Sequence, residues 1–191
     1  MKSILISIKP KWVAKILNGI KTLEIRKRFP KDYVGWVYIY CTKEEYLMDT
    51  DKGYFSTKNG LMEIGYYYKR MRNINGKVVA RFWCDKVEEI KLNLALRYST
   101  DSMKEEELLK RSCLTVDEID NYLWSNICCG KSIHITKLEI FDKPKEISEF
   151  KRYINDSDCK KCAYGSRCPL YPCDKIPLTC APQSWCYIEN I

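Results

Sequence analysis

Between residues 18 and 30 the chain reads NGIKTLEIRKRFP, which sets a single carboxylate, Glu24, among Lys21, Arg26, Lys27 and Arg28. These residue types suit an anion. Arginine offers a planar fork that matches phosphate, and lysine acts as a compact point charge. In a strand, Glu24 and Arg26 share a face, so Glu24 can hold a cation in place instead of opposing the cluster. The same residues also fit a surface salt bridge worth about 0–1 kcal/mol. Charge location favours the first use. Residues 1–43 hold ten Lys and Arg against only Glu24 and Asp32, and the rest of the chain balances, so the net +8 lies in this first segment. Localised positive charge concentrates polyanions around it, and in a cytoplasm nucleic acid is the commonest. Lys9, Lys21, Glu24, Arg26, Arg28 and Tyr40 are therefore the candidate nucleic-acid-binding residues.

Other groups could add chemistry. His134 is the chain's one histidine. It shares strand parity with Thr136 and can either make a structural hydrogen bond or face a cleft. With no second histidine, a two-histidine acid–base mechanism is excluded. Lys21, Glu24 and His134 are the candidate catalytic set, with Glu24 as the proton acceptor. Tyr66, Tyr67 and Tyr68 beside Lys69, Arg70 and Arg72 read either as a stacking surface interleaved with charge or as an ordinary tyrosine-rich segment. Trp36 reads as core.

Six of the eleven cysteines crowd into the last 33 residues, with the spacing C-x2-C-x5-C-x4-C-x6-C-x5-C. Clustered cysteines in a reducing compartment read as metal ligands more readily than as disulfides. A tail too polar to build its own core needs a staple. Tetrahedral Zn²⁺ on Cys159, Cys162, Cys168 and Cys173 is the most compact solution, with Cys180 or Cys186 able to replace one of the four. An iron–sulfur cluster and unliganded or disulfide-bonded cysteines are the alternatives.

These residues need positioning. Pro10 suits a first helical turn, Trp12, Val13, Ile16 and Leu17 recur at helical spacing, and Asn18-Gly19 closes the helix. TLEIR and GWVYIYC follow as strands. Residues 43–76 lack periodicity and read as an insertion that ends at the Asn75-Gly76 hairpin signal. The preceding LMEIGYYYKRM suits strand or helix. KVVARFWCDKVEEI reads as one buried strand, SCLTVDEIDNYL as a helix opened by a Thr115–Glu118 capping box, and SIHITKLEIFD as a strand before a turn at Pro144. Three or four strands with two short helices imply a small α+β domain around a partly open barrel. Composition shifts past Phe150, so residues 1–150 form the domain and 151–191 a Cys-rich metal-binding tail packed on it. At 46% hydrophobic and 30% charged the chain is a soluble globular protein. Its longest apolar run, VGWVYIYC, is far short of a membrane span, and its N-terminus is too short in apolar residues for a signal peptide. A cytoplasmic location is expected.

The segment SIKPKWVAKILNGIKTLEIRKRFP resembles the start of ASCH domains, a PUA-like family, through Ser7-Ile8-Lys9-Pro10 and Gly19-x-Lys21-x-x-Glu24-x-Arg26. GKVVARFWCDKVEEI looks like that family's central strand and SIHITKLEIFDKPKEISEF like its closing strand. The tail PQSWCYIE is similar to that of a prophage and mobile-element subgroup. The resemblance implies a small β-barrel that binds RNA or nucleotides in a cleft between the first helix and the barrel. The family also contains a bacterial N4-acetylcytidine amidohydrolase with a lysine matching Lys21 and a catalytic threonine matching Glu24. Glutamate departs from that pattern: it can serve as a general base for water but not as a hydroxyl nucleophile. Hydrolysis of a modified nucleoside, ribonuclease chemistry, and a phage-encoded inhibitor that binds an acidic protein are the alternatives to a binding module.

Overall fold

Lys2–Ile8 (β1) is apolar at four of its seven positions and buried at every one after Lys2, on both faces, which suits a central strand flanked on each side. In the computed structural model β1 lies parallel to Gly35–Cys41 (β3) and antiparallel to Trp185–Glu189 (β12). The structure describes residues 2–43, 47–49, 54–57, 60–63, 74–92, 97–123, 130–153 and 177–189. Leu47–Asp49 (β4), Tyr54–Thr57 (β5) and Gly60–Glu63 (β6) form a three-stranded antiparallel meander within the expected insertion. The tyrosine run at 66–68 with its basic neighbours lies outside the described residues.

Two segments expected as single strands each divide. KVVARFWCDKVEEI gives Val78–Cys84 (β7) and Val87–Leu92 (β8), and SIHITKLEIFD gives Gly130–His134 (β10) and Thr136–Lys145 (β11). The break has the same meaning both times, because the chain leaves one sheet for another. β7 and β11 belong to a five-stranded sheet ordered β11-β7-β3-β1-β12. β8 and β10 belong to a four-stranded sheet of Leu23–Arg26 (β2), β10, β8 and Tyr98–Ser99 (β9), ordered β2-β10-β8-β9. Just past the second break Lys137 adopts φ +43°, a left-handed conformation that L side chains enter at some strain. The turn expected at Pro144 is absent, since Pro144 lies inside β11. That strand is at a sheet edge, where proline is tolerated.

Among the described residues three α-helices complete a mixed α+β fold: Pro10–Leu17 (α1), Glu105–Ser112 (α2) and Val116–Leu123 (α3). The capping box of α3 is formed in both directions, with Thr115 N donating to Glu118 Oε2 at 3.0 Å and Glu118 N to Thr115 Oγ1 at 3.1 Å. Helix α2 was not expected from the sequence. Its signal is the run Glu105-Glu106-Glu107 followed by Lys110-Arg111, acidic at the start and basic at the end as the helix dipole prefers.

The described residues fall into two compact units. One takes in 1–10, 36–81 and 140–191, the other 11–35 and 82–139. In the first, Leu5, Tyr38, Tyr40, Val78, Phe150 and Ile188 form the core. The strand β12, from the end of the expected tail, is a full member of its sheet. In the second, Leu23, Ile25, Ile90, Tyr98, Met103, Leu108, Ile119 and Leu123 pack together. The second unit positions the candidate site.

Candidate functional site

Segment 18–22 ends two helices at once. At the end of α1, Gly19 N donates to Ile16 O at 2.9 Å and Ile20 N to Lys15 O at 2.9 Å, the paired bonds of a Schellman motif. Gly19 takes φ +71°, the left-handed conformation that the motif needs and glycine adopts at no steric cost. The redirected chain then meets the C-terminus of α2. Thr22 N donates to Arg111 O at 2.9 Å, and the Lys21 ammonium donates to Ser112 O at 2.7 Å. Two carbonyls that a helix end leaves without partners are thereby satisfied, and a cation sits where the helix dipole is negative.

Lys21 is 2% exposed, Glu24 6% and Arg26 8%, so this is a buried cluster and not a surface salt bridge. Glu24 divides its carboxylate. Oε2 lies 3.3 Å from Lys21 Nζ, and Oε1 lies 2.9 Å from Arg26 Nη2. Two cations thus meet on one carboxylate in a low-dielectric setting. Burial lowers the pKa of Lys21 from 10.5, against the attraction and hydrogen bond of Glu24 that raise it. The Trp12 ring centroid is 5.3 Å from the same ammonium, 4.6 Å from that of Lys11 and 4.9 Å from that of Lys15. Val13, Ile16 and Leu17 are buried as their spacing predicts, but Trp12 is only half-buried.

His134 stands apart from this cluster. The β2–β10 register sets Leu23 opposite His134 and Glu24 opposite Ile133. Cross-strand partners share a sheet face and successive residues alternate, so Glu24 and His134 project to opposite faces. His134 Nε2 instead lies 2.9 Å from Glu88 Oε2. The Glu88 carboxylate also accepts from Ser102 N at 3.1 Å and Ser102 Oγ at 2.8 Å, and lies 3.1 Å from Lys86 Nζ. Burial pushes its pKa up, but hydrogen bonds from Ser102, Lys86 and His134 outweigh that and hold it below 4.5. The sequence signal for Glu88 is an acidic residue on the same strand face as the core residue Ile90.

Of the remaining candidates, Arg28 is exposed in the same unit and Lys9 is exposed in the other. Tyr40 is not a surface residue. It is 7% exposed and packs in the core beside Tyr38 and Phe150, because β3 is buried on both faces. Trp36 is half-buried against that core with the Arg81 guanidinium 4.2 Å from its ring centroid. Cys159, Cys162, Cys168 and Cys173 lie outside the described residues. Cys180 and Cys186 are free thiols that line a cavity of about 280 Å³ with Arg152, Leu178, Thr179 and Pro182. Burial raises the Cys186 pKa, which keeps the thiol protonated at neutral pH. Among the described residues no three His, Cys, Asp or Glu side chains cluster as a metal site, and no helix is long and apolar enough to cross a membrane.

No family model matches the chain, and no curated protein matches it. Among solved structures it is similar to a point mutant of an ASCH protein from Zymomonas mobilis, at 15% identity and TM-score 0.48, over 100% of this chain and 92% of that one. The unmutated Zymomonas mobilis ASCH structure gives 13% identity and TM-score 0.47, over 98% and 88% of the two chains. A second point mutant gives 13% and 0.46, over 98% and 89%. Likeness at that level says nothing of the ligand or the chemistry of this chain.

Proposed function

We propose that this chain is an RNA- or nucleotide-binding protein of the ASCH, PUA-like kind, with a partly open barrel, and that it takes a phosphate of its ligand at Lys21, Glu24 and Arg26. The observation that carries the reading is the pair of buried cations, Lys21 and Arg26, held on the one Glu24 carboxylate. Buried cations are costly, and an incoming anion would offset that cost. Glu24 then serves to fix the direction of the Arg26 fork. Helix C-termini and a glycine cap hold Lys21, so the cations are in place before a ligand arrives and little ordering entropy is lost on binding.

Catalysis is the second reading, and one feature favours giving it to Lys21. Burial promotes the neutral amine, which can accept a proton from water or a hydroxyl group. The Arg26 guanidinium holds Glu24 Oε1 at 2.9 Å, so Glu24 is a poorer proton acceptor than its place in the motif suggests. His134, on the other sheet face, is left out of the set. The reaction would be hydrolysis of an acetylated cytidine or of RNA.

Binding of a labelled single-stranded RNA, with nucleotides as competitors, tests both readings. Lys21→Met and Arg26→Met are each expected to weaken binding by about 1.5–3 kcal/mol, the range for a hydrogen bond to a charged group. Lys2→Ala and Lys43→Ala are expected to change it by much less. Equal losses from all four would replace the site with a diffuse electrostatic surface. Turnover of either substrate by the same preparations, lost in Lys21→Met, would establish the catalytic reading. Zinc held by four tail cysteines, drawn from Cys159, Cys162, Cys168 and Cys173 with Cys180 or Cys186 as substitute, belongs to this proposal as a structural staple.

A further inference from the structure

We propose that the Trp12 indole is the plate on which a nucleobase stacks while the Lys21–Glu24–Arg26 cluster takes the attached phosphate; the inference rests on the anion-binding reading above. Trp12 is placed as a core residue by its helical spacing, yet its ring is left half-buried while Val13, Ile16 and Leu17 beside it are buried. A large aromatic ring gains most from full burial or from a flat partner. What surrounds it is charge. Three ammonium groups, of Lys11, Lys15 and Lys21, lie 4.6, 4.9 and 5.3 Å from its centroid.

Three cations drawn to one ring repel one another. Lys11 reaches Glu118 at 3.5 Å, and Lys21 shares Glu24 with Arg26. The three groups differ in freedom. Lys21 is fixed by Ser112 and Glu24, whereas Lys11 and Lys15 are half-buried on four-carbon stems and able to swing. A lysine resting on an accessible ring gains less than a stacked base does. A base can therefore displace them from the ring, and their ammonium groups can then follow the phosphate. The ring and the buried Lys21 ammonium are close neighbours, 5.3 Å apart, so one ligand meets both: a flat π-face carrying an anion a few ångströms away. A nucleoside monophosphate has that chemistry, free or as one unit of single-stranded RNA. Stacking tolerates any base, so recognition here reads the presence of a base and not its identity.

The test compares parent, Trp12→Phe and Trp12→Leu with four probes: inorganic phosphate, adenosine and cytidine 5′-monophosphate, and a short single-stranded RNA. The parent is expected to bind either monophosphate about 5- to 150-fold tighter than inorganic phosphate, the gain of one stacked base. Trp12→Leu should lose that gain with phosphate affinity unchanged, and Trp12→Phe should keep most of it. The chain has five tryptophans, so the ligand-induced quenching that disappears in Trp12→Phe reports Trp12 alone. This readout decides the matter if Trp12→Leu fails to fold. Tighter binding of the RNA than of either monophosphate makes RNA the ligand, and equal binding makes it the free nucleotide. A monophosphate that binds Trp12→Leu as tightly as the parent, or quenches Trp12→Phe as much, overturns the inference and leaves the phosphate site standing. A parent that binds none of the four probes overturns both.

Discussion

Lys21→Met separates a buried cation from a surface one. Methionine nearly matches lysine in length and removes only the ammonium. What disappears is the 2.7 Å bond to Ser112 O and the 3.3 Å contact with Glu24 Oε2. A hydrogen bond to a charged group contributes about 1.5–3 kcal/mol, and the orphaned carbonyl of Ser112 costs about 1–3 more. Set against these is relief from the desolvation of a side chain 2% exposed, and Glu24 keeps Arg26 at 2.9 Å. The expected net loss is about 2–3 kcal/mol. Glu24→Gln should be worse, about 3–5 kcal/mol, because two buried cations then face each other with no anion between them. The pH dependence has its own sign. Burial lowers the folded pKa of Lys21 beneath the 10.5 of the unfolded chain. Between those two values the unfolded state binds more protons, so raising the pH stabilises the fold, by at most about 1.4 kcal/mol per pH unit. Below the folded value both states are protonated and the destabilisation is present in full. Urea unfolding from pH 7 towards 10.5 reads this directly. Tyr40 and Tyr98 also titrate when alkaline, so the quantity to plot is parent minus Lys21→Met. A difference that stays flat across that range, with Lys21→Met unfolding at the parent's urea concentration, would refute a buried ammonium.

Two further outcomes follow from other parts of the chain. The pKa of Glu88 is held below 4.5, so its contribution is complete above pH 4.5 and is lost as pH falls through the folded value. Glu88→Gln should therefore show a shallower loss of stability in acid than the parent, with His134→Ala between the two; parallel acid profiles for all three would show that the carboxylate is not held by these donors. Elemental analysis of the purified protein is expected to find about one zinc per chain, released by a chelator together with loss of tail order. Fewer than about 0.3 equivalents of zinc or iron, with sulfurs paired at disulfide distance, would remove the metal.

Legibility followed the range of the interaction. The α1 cap, the strand TLEIR and the α3 capping box are set by neighbours within a turn or two, and each was read from residues alone. The two divided strands were not. Nothing local in VVARFWCDKVEEI says that the chain changes sheets near Asp85, because both halves alternate as good strand. Lys21 and Glu24 were correctly grouped, but burial could not be inferred, since the group that buries Lys21 is the end of a helix 91 residues away. The grouping of His134 with Glu24 failed on register. A one-residue offset between paired strands decides which face each side chain takes, and β2 and β10 are over a hundred residues apart in sequence. Tyr40 lies in the core for a related reason: alternation marks two faces, but here both are buried.

Whether the cluster is only structural turns on the cost of its charge. If capping α2 were the whole purpose, a neutral hydrogen-bond donor at position 21 would satisfy Ser112 O without burying an ammonium. A hydrophobic set in place of Lys21, Glu24 and Arg26 is often neutral or stabilising for a buried ion cluster. The cluster keeps two buried cations instead, fixed by two helix ends and a glycine cap. That arrangement is intelligible if an anion from outside joins them. The stability lost to the buried charge is then recovered on binding, so a ligand phosphate should raise the unfolding midpoint of the parent more than that of Lys21→Met. The coupling follows from linkage alone, since whatever binds the folded state and not the unfolded one stabilises it.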